Sequence, residues 1–403
     1  MKSIDKQPVI YVVGASGRAA AESVRQTGLR AIVLDLYADA DSGDQVDLLI
    51  VESYPESILD QLSQQPPGWI LLAGGMEHYP DLVTSLEEWH RLIGPNVTQL
   101  KQLRDLRFLS NSLAKSIKLK FPTTIISDRE RLISADNDSI AISSAKKVLR
   151  SSEPVWLKKS WRGCGGFHIE EFRGTLPSKE IDFSTSYLQQ KLFGRSIGSV
   201  FYCRSSQIEL LGVVDAISQA THESLVGPQP ELPRMAYRGS YGPTEISDEL
   251  RDAMCEWIRE LTRAIDYSGL LQVDWIVDNL DQAWLLEINP RWTASMEIIE
   301  WAAQRNLFSI QAGCTEGLRE QIGPAIGATL ITRSEQKLYK AIVYASSSFD
   351  VSSEMFNEML DRKFQRFNQM HSDPVIESGW SDIPRVGTPI RLGNPLATWL
   401  CTD

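Results

Sequence analysis

Only five cysteines and five histidines occur among the 403 residues, and neither set is spaced for disulfide or zinc chemistry. Cys164, Cys203, Cys255, Cys314 and Cys401 contain no Cys-x-x-Cys pair, and an odd number cannot close into a fully paired disulfide framework. The histidines form no His-Glu-x-x-His or other paired ligand spacing, so no structural zinc is expected. Long hydrophobic runs are missing too. Val9-Ile10-Tyr11-Val12-Val13 and Trp69-Ile70-Leu71-Leu72-Ala73 are strand-length, far short of the roughly 20 residues of a membrane span. The opening Met1-Lys2-Ser3-Ile4-Asp5-Lys6 carries an acid and leads into no apolar stretch with a small-residue cleavage site, which predicts a cytoplasmic protein. Positive charge is in deficit, 41 Lys+Arg against 52 Asp+Glu for a net charge of −11. No basic run interleaved with aromatics offsets that, so neither nucleic acid nor a membrane is an expected partner.

What is present suits burial: 42% hydrophobic, 23% charged and 8% aromatic residues, the composition of a globular protein. The length predicts two or three domains. From Pro8 to about Gly94, strand-like runs at Val9–Val13, Ala31–Leu34, Leu48–Val51 and Trp69–Ala73 alternate with helix-like stretches. That rhythm predicts a doubly wound α/β unit over residues 1–95. Its first turn, Gly14-Ala15-Ser16-Gly17-Arg18-Ala19, is not Gly-x-Gly-x-x-Gly; it reads either as a phosphate-facing helix start or as a tight turn with close packing, and NAD is not inferred. Asp35, just past the second strand, reads equally as an acceptor for a ribose or amine and as part of a solvated acidic loop. Glu77 follows the buried strand at Trp69–Ala73, at the sheet edge where ligands gather.

Leucines at 100, 103, 106, 109 and 113 predict helix between Pro95 and Lys120. Residues 121–193 read as a small α+β lid, with a helical piece between Ser127 and Arg150 and strands at Val155–Lys159 and Ser186–Lys191. Within it, Lys158-Lys159-Ser160-Trp161-Arg162-Gly163-Cys164-Gly165-Gly166 brings two lysines to a loop whose glycines let backbone approach phosphate oxygens; a glycine-rich hairpin with surface lysines is the bland alternative. A second signal is the hairpin Leu270–Asp278 and Ala283–Arg291. Period-2 geometry puts Glu287 and Asn289 on one face, with Asp274 brought opposite, a set of hard oxygens suited to Mg²⁺. From about Gly323 a strand (Tyr339–Ala345), a helix (Ser353–Gln369) and turn-rich β structure (Asp382–Leu400) predict an accessory C-terminal α+β domain over 323–403.

In their order and spacing the glycine loop, Tyr187-Leu188-Gln189-Gln190-Lys191-Leu192-Phe193-Gly194 and Glu287-Ile288-Asn289-Pro290-Arg291 resemble the successive motifs of the ATP-grasp superfamily. The resemblance implies an ATP-grasp domain over 96–322, with the lid at about 121–193, behind a Rossmann-like pre-ATP-grasp domain. It also implies ATP and Mg²⁺ as cofactors. Lys159 then touches phosphates, with Lys158 less favoured, and Gly163, Gly165 and Gly166 form the mobile loop. Gln190, Lys191 and Phe193 grip adenine, Gln190 standing where relatives carry Glu. Asp274, Glu287 and Asn289 hold magnesium, and Arg291 steadies the phosphoryl group. Arg104 and Arg107 stand near another phosphate-binding position. Gly17-Arg18-Ala19, Gly75-Met76-Glu77, Tyr237-Arg238-Gly239-Ser240 and Asp382–Ile390 further resemble a subgroup of predicted carboligases related to biotin carboxylase, some linked to tetrahydromethanopterin-dependent one-carbon metabolism.

The implied reaction joins a small-molecule carboxylate to an amine through an acyl-phosphate. A bicarbonate-using carboligase and a non-catalytic ATP sensor are the alternatives, and a homo-oligomer is left open. Tyr237, Ser240, Ser295 and Glu297 are the substrate-contact candidates, with the helix opening at Trp292–Glu297 expected to run to Arg305. His222, placed in a polar loop at 219–223, is either a substrate contact or base or, more plainly, neither.

Overall fold

The computed structural model describes residues 8–43, 47–51, 53–126, 132–133, 155–163, 165–172, 181–204, 207–322, 336–364 and 378–403. The N-terminal unit is a parallel sheet of β1 (Val9–Gly14), β2 (Arg30–Asp35), β3 (Leu48–Ile50), β4 (Trp69–Leu72) and β5 (Arg91–Ile93), in the order β3-β2-β1-β4-β5. Ile10 to Val13 and Ile70 to Leu72 are almost wholly buried, as expected for the central strands of a parallel sheet covered on both faces. The order reverses between β1 and β4, and their carboxyl ends therefore bound a crevice. A Cβ at Gly14 would press on the Ala73 backbone at 2.5 Å, so glycine is what lets these two strand ends meet. The Gly14–Ala19 turn is filled from within: Gly17 N–H donates to Asp35 Oδ2 at 2.9 Å. It is a packed turn, and Asp35 is its buried clamp.

The helix expected between Pro95 and Lys120 is two, Val97–Arg104 and Leu106–Leu113. Asp105 between them has extended backbone, and its carboxylate accepts the N–H groups of Arg107 and Phe108, which starts a new helix at a new angle. The segment expected to form a lid contributes a five-stranded antiparallel sheet that includes Trp156–Ser160, Ile169–Phe172 and Ser186–Gln190. The helical piece expected between Ser127 and Arg150 lies outside the described residues.

The main sheet has nine strands, ordered Ser378–Ser381, Pro395–Thr402, Leu338–Tyr344, Gly239–Gly242, Gln207–Ala216, Arg195–Arg204, Gly269–Val277, Ala283–Asn289 and Leu119–Lys120. Leu338–Tyr344 pairs directly with Gly239–Gly242, so the sheet runs unbroken across the boundary expected at residue 323. The strand alternation sorts its two cores. Val213 packs with Trp257, Ile258 and Leu261 of the helix Asp248–Ala264, whereas Val214 packs with Met296, Ile298 and Ile299 of the helix Ala294–Ala303. Full burial of each such side chain stabilises by roughly 1.5–3 kcal/mol. The second helix stops at Ala303, where Gln304 turns left-handed, rather than reaching Arg305. The helix expected over Ser353–Gln369 is described as Ser353–Asp361, and 365–377 lie outside the described residues. Among the described residues no helix is long and apolar enough to cross a membrane.

Candidate active site

The hairpin pairs Asp274 with Glu287 and Gln272 with Asn289, two positions apart in register, so all four side chains rise from one face of the sheet. Asn289 Nδ2 donates to Asp274 Oδ2 at 2.8 Å and to Gln272 Oε1 at 2.7 Å, and Gln272 Nε2 donates to Asp274 Oδ1 at 2.6 Å. Burial and the facing Glu287 charge raise the Asp274 carboxyl to about 7. Burial also opposes ionisation of Glu287, but the charges of Arg104 and Lys159 outweigh it and hold that carboxyl below its ordinary value. Two half-buried acids in register, one of them pushed up by burial and by the other, leave room for a further positive charge. An all-oxygen donor set of this kind fits Mg²⁺, although the Asn289 carbonyl oxygen already accepts from Arg291 at 3.3 Å. Among the described residues no three His, Cys, Asp or Glu side chains gather as a metal site, so any cation here shares its sphere with other ligands.

Three other elements close on this hairpin end. Lys159 points inward and donates to Gln189 at 3.1 Å, whereas Lys158, on the other face of the same strand, reaches Glu170. Arg104 donates to Glu287 at 3.3 Å and approaches His78 Nδ1 at 3.4 Å. Arg107 is exposed on the next helix. Glu77, fully buried after β4, receives Arg291 Nε at 3.0 Å and Nη2 at 2.9 Å on one oxygen. Its burial is outweighed by the charge and hydrogen bonds of Arg291, which hold its carboxyl at about 2. Glu287, Arg104, His78, Glu77, Arg291 and Asn289 thus follow one another around the strand end. Beside them opens a cleft of about 250 Å³, lined by Glu77, His78, Arg104, Trp161, Tyr187 and Glu287 among others.

The glycine loop folds back toward the main sheet. Gly165 and Gly166 have φ of 63° and 76°, and a Cβ at Gly166 would overlap the Met235 carbonyl. Tyr237 N–H donates to Gly165 O at 2.8 Å. Gly163 starts the loop, its N–H donating to Ser160 O at 3.2 Å. The N–H groups of Gln190 and Lys191 are spent on Thr123 and Val155 carbonyls, Lys191 Nζ pairs with Glu171 at 2.6 Å, and Phe193 is 71% exposed.

Residues 129–295 match the ATP-grasp domain family. The chain has an ATP-grasp fold. Its fold is also that of solved structures spanning nearly the whole chain. The biotin carboxylase domain dimer of Hydrogenobacter thermophilus 2-oxoglutarate carboxylase, solved with MgADP, ADP and bicarbonate, is 13% identical with a TM-score of 0.64, covering 98% of this chain and 86% of that one. Biotin carboxylase from Campylobacter jejuni, in a β,γ-ATP complex, is 13% identical at a TM-score of 0.61, covering 99% and 88%. N5-carboxyaminoimidazole ribonucleotide synthetase from Thermus thermophilus is 16% identical at a TM-score of 0.63, covering 98% and 93%.

Several candidates fall elsewhere in this ATP-grasp fold. His222 sits in the helix Gln219–Val226, buried, with Nε2 2.6 Å from Ile342 O; the Ser218 cap that starts this helix is what the loop assignment overlooked. Ser295 is buried, with its hydroxyl against Gly198 of the sheet rather than at the cleft. Glu297 is buried and bound by Arg18 at 2.6 Å and Lys340 at 2.5 Å. Tyr237 and Ser240 form a pair, hydroxyl to hydroxyl at 3.0 Å, near that ion cluster. His78 and Gln272 were not singled out from the sequence. Gln272 could have been found, because it is two residues before Asp274 on the same strand face.

Proposed function

We propose that the chain is an ATP- and Mg²⁺-dependent ligase that joins a carboxylate to an amine through an acyl-phosphate. The observation carrying this reading is the convergence of Lys159, Arg104 and Arg291 on the Asp274–Glu287 pair beside the cleft. Asp274, Glu287 and Asn289 would hold the cation. Bound there, Mg²⁺ would neutralise the triphosphate and favour in-line transfer of its terminal phosphoryl group. Lys159 brings a fixed positive charge from the lid strand toward the same oxygens. Arg291 presents a planar fork suited to the carboxylate and its phosphorylated product, with Glu77 fixing the guanidinium. The lid aromatics Trp161 and Tyr187, with ring centroids 4.6 Å apart, cover the cleft and keep water from an acyl-phosphate before the amine attacks. Any adenine grip by the strand after Ser186 uses backbone carbonyls or later residues, since the Gln190 and Lys191 N–H groups are taken.

The test is ADP release from the full-length protein with Mg²⁺·ATP across a panel of carboxylates and amines. Release should require both substrates and disappear in Glu287→Ala and in Asp274→Ala. Full turnover in either variant would defeat the assignment. A bicarbonate-using carboligase is the second reading, favoured by the likeness to carboxylases. Labelled bicarbonate incorporated into an amine product, with no other acid required, would select it.

A further inference from the structure

We propose that Gln189, held by Thr124, is the positioning residue that sets Lys159 for the phosphate end of ATP, and that as a neutral amide it leaves the full lysine charge to the nucleotide. This rests on the ATP site of the ligase reading above. A lysine is a point charge on a flexible four-carbon stem, so the strand that delivers it does not by itself fix where the ammonium stands. Here the neighbouring strand Ser186–Gln190 supplies the fixing. Tyr187 and Gln189 lie on one face of it; Tyr187 is in register with Lys159, and Gln189 with Leu157 on one side and Thr124 on the other. The Lys159 ammonium stands 5.8 Å from the Tyr187 ring centroid and donates to Gln189 Oε1 at 3.1 Å.

The direction of each bond in this chain is set from its far end. The Pro122 carbonyl can only accept, so the Thr124 hydroxyl donates to it at 2.8 Å and keeps its lone pairs free. Gln189 Nε2 donates to that hydroxyl oxygen at 3.4 Å, which turns the amide oxygen toward Lys159. Thr124 is 0% exposed and Gln189 1%, so water offers the amide no competing orientation. What Gln189 lacks is charge. A carboxylate of the same length would pair with the ammonium and neutralise it, whereas among the described residues Lys159 forms no ion pair, and Glu287 feels its charge without pairing with it. An incoming phosphate therefore meets an ammonium already in place, with two of its three N–H groups uncommitted among the described residues, and binding does not bear the entropy of ordering a long side chain.

Calorimetric titration of the full-length protein with Mg²⁺·ATP and with adenosine tests this. Gln189→Met keeps the length and removes the acceptor; it should weaken Mg²⁺·ATP about tenfold and leave adenosine unchanged, because adenosine brings no phosphate to Lys159. Gln189→Glu should weaken Mg²⁺·ATP at least as much, again without effect on adenosine. Because a change at Gln189 could disturb the sheet, Thr124 provides a second readout: Thr124→Ser, which keeps the hydroxyl, should bind Mg²⁺·ATP like the wild type, and Thr124→Val more weakly. Unchanged Mg²⁺·ATP affinity in Gln189→Met, or a loss shared equally by adenosine, would overturn the proposal, the second because the amide would then only pack the sheet. A wild type that binds no Mg²⁺·ATP would overturn it together with the ligase reading, whereas the expected affinities without ADP release for any acid and amine would defeat the ligase reading alone.

Discussion

Glu77 shows what one residue position decides. It is fully buried, and its charge is tolerable only because Arg291 donates twice to it. Its carboxyl titrates near 2 rather than at the ordinary 4.5. A depressed acid adds stability that is complete above the unfolded value and is lost as pH falls through the folded one. Over that interval the pair contributes about 3 kcal/mol. Glu77→Gln should therefore melt well below the wild type at pH 7, and the gap should narrow between about pH 4.5 and pH 2. A gap that stays constant over that range would show that the charge of Glu77 does not matter. The sequence marked Glu77 as an edge residue, but could not say that its partner lies 214 residues away. The preference for Lys159 over Lys158 came from the motif resemblance, since alternation says only that the two face opposite sides of the strand. The inward turn of Glu297 was not readable, because a charged residue in a helix reads as solvated until its counter-ions are known.

At the scale of elements, the signals that survived were the ones with their own local physics. The hairpin and its turn followed from period-2 alternation closed by Asp278, which accepts the N–H groups of Leu280 and Gln282. The glycine loop followed from composition. Its docking surface did not, since Met235–Tyr237 has no sequence feature that marks it as a landing site for Gly165 and Gly166. The break at Asp105 was missed because the leucine period continues across it. The loop gives a prediction of its own. Gly166→Ala adds a methyl where the Met235 carbonyl stands and forces φ of 76° on an L-residue, a strain of about 1–2 kcal/mol. The lid should then close less well, weakening Mg²⁺·ATP binding about tenfold while the main sheet unfolds at its usual denaturant concentration. Undiminished nucleotide affinity in this variant would mean that the loop does not need its present docked form.

For the molecule as a whole, the N-terminal unit, the central helix Ala294–Ala303 and the C-terminal strands are joined through one side chain. Arg18 is 3% exposed, and its guanidinium meets Glu22, Glu297 and Asp382, which come from three separate parts of the chain. Lys340 adds a second tie from the strand Leu338–Tyr344 to Glu297. Ala40 N–H donates to Ile383 O, and Arg385 to Ala38 O, so backbone contacts run beside the ion pairs. No local pattern could announce a contact between positions 18 and 382. Removing Arg18 leaves Asp382 half-buried without its main counter-charge and the buried Glu297 with Lys340 alone, which costs about 3 kcal/mol, more than a surface pair. Arg18→Met should lower the urea midpoint accordingly. Arg18→Lys should recover only part of the loss, because a point charge cannot serve Glu297 and Asp382 together as the planar fork does. Asp382→Asn should be the informative partner. Asn tolerates the left-handed φ of 54° at that position, so a double-mutant cycle with Arg18→Met isolates the ion pair from backbone strain. A coupling energy near zero would mean that the three parts are held by the shared sheet and apolar packing alone, with Arg18 merely filling space between them.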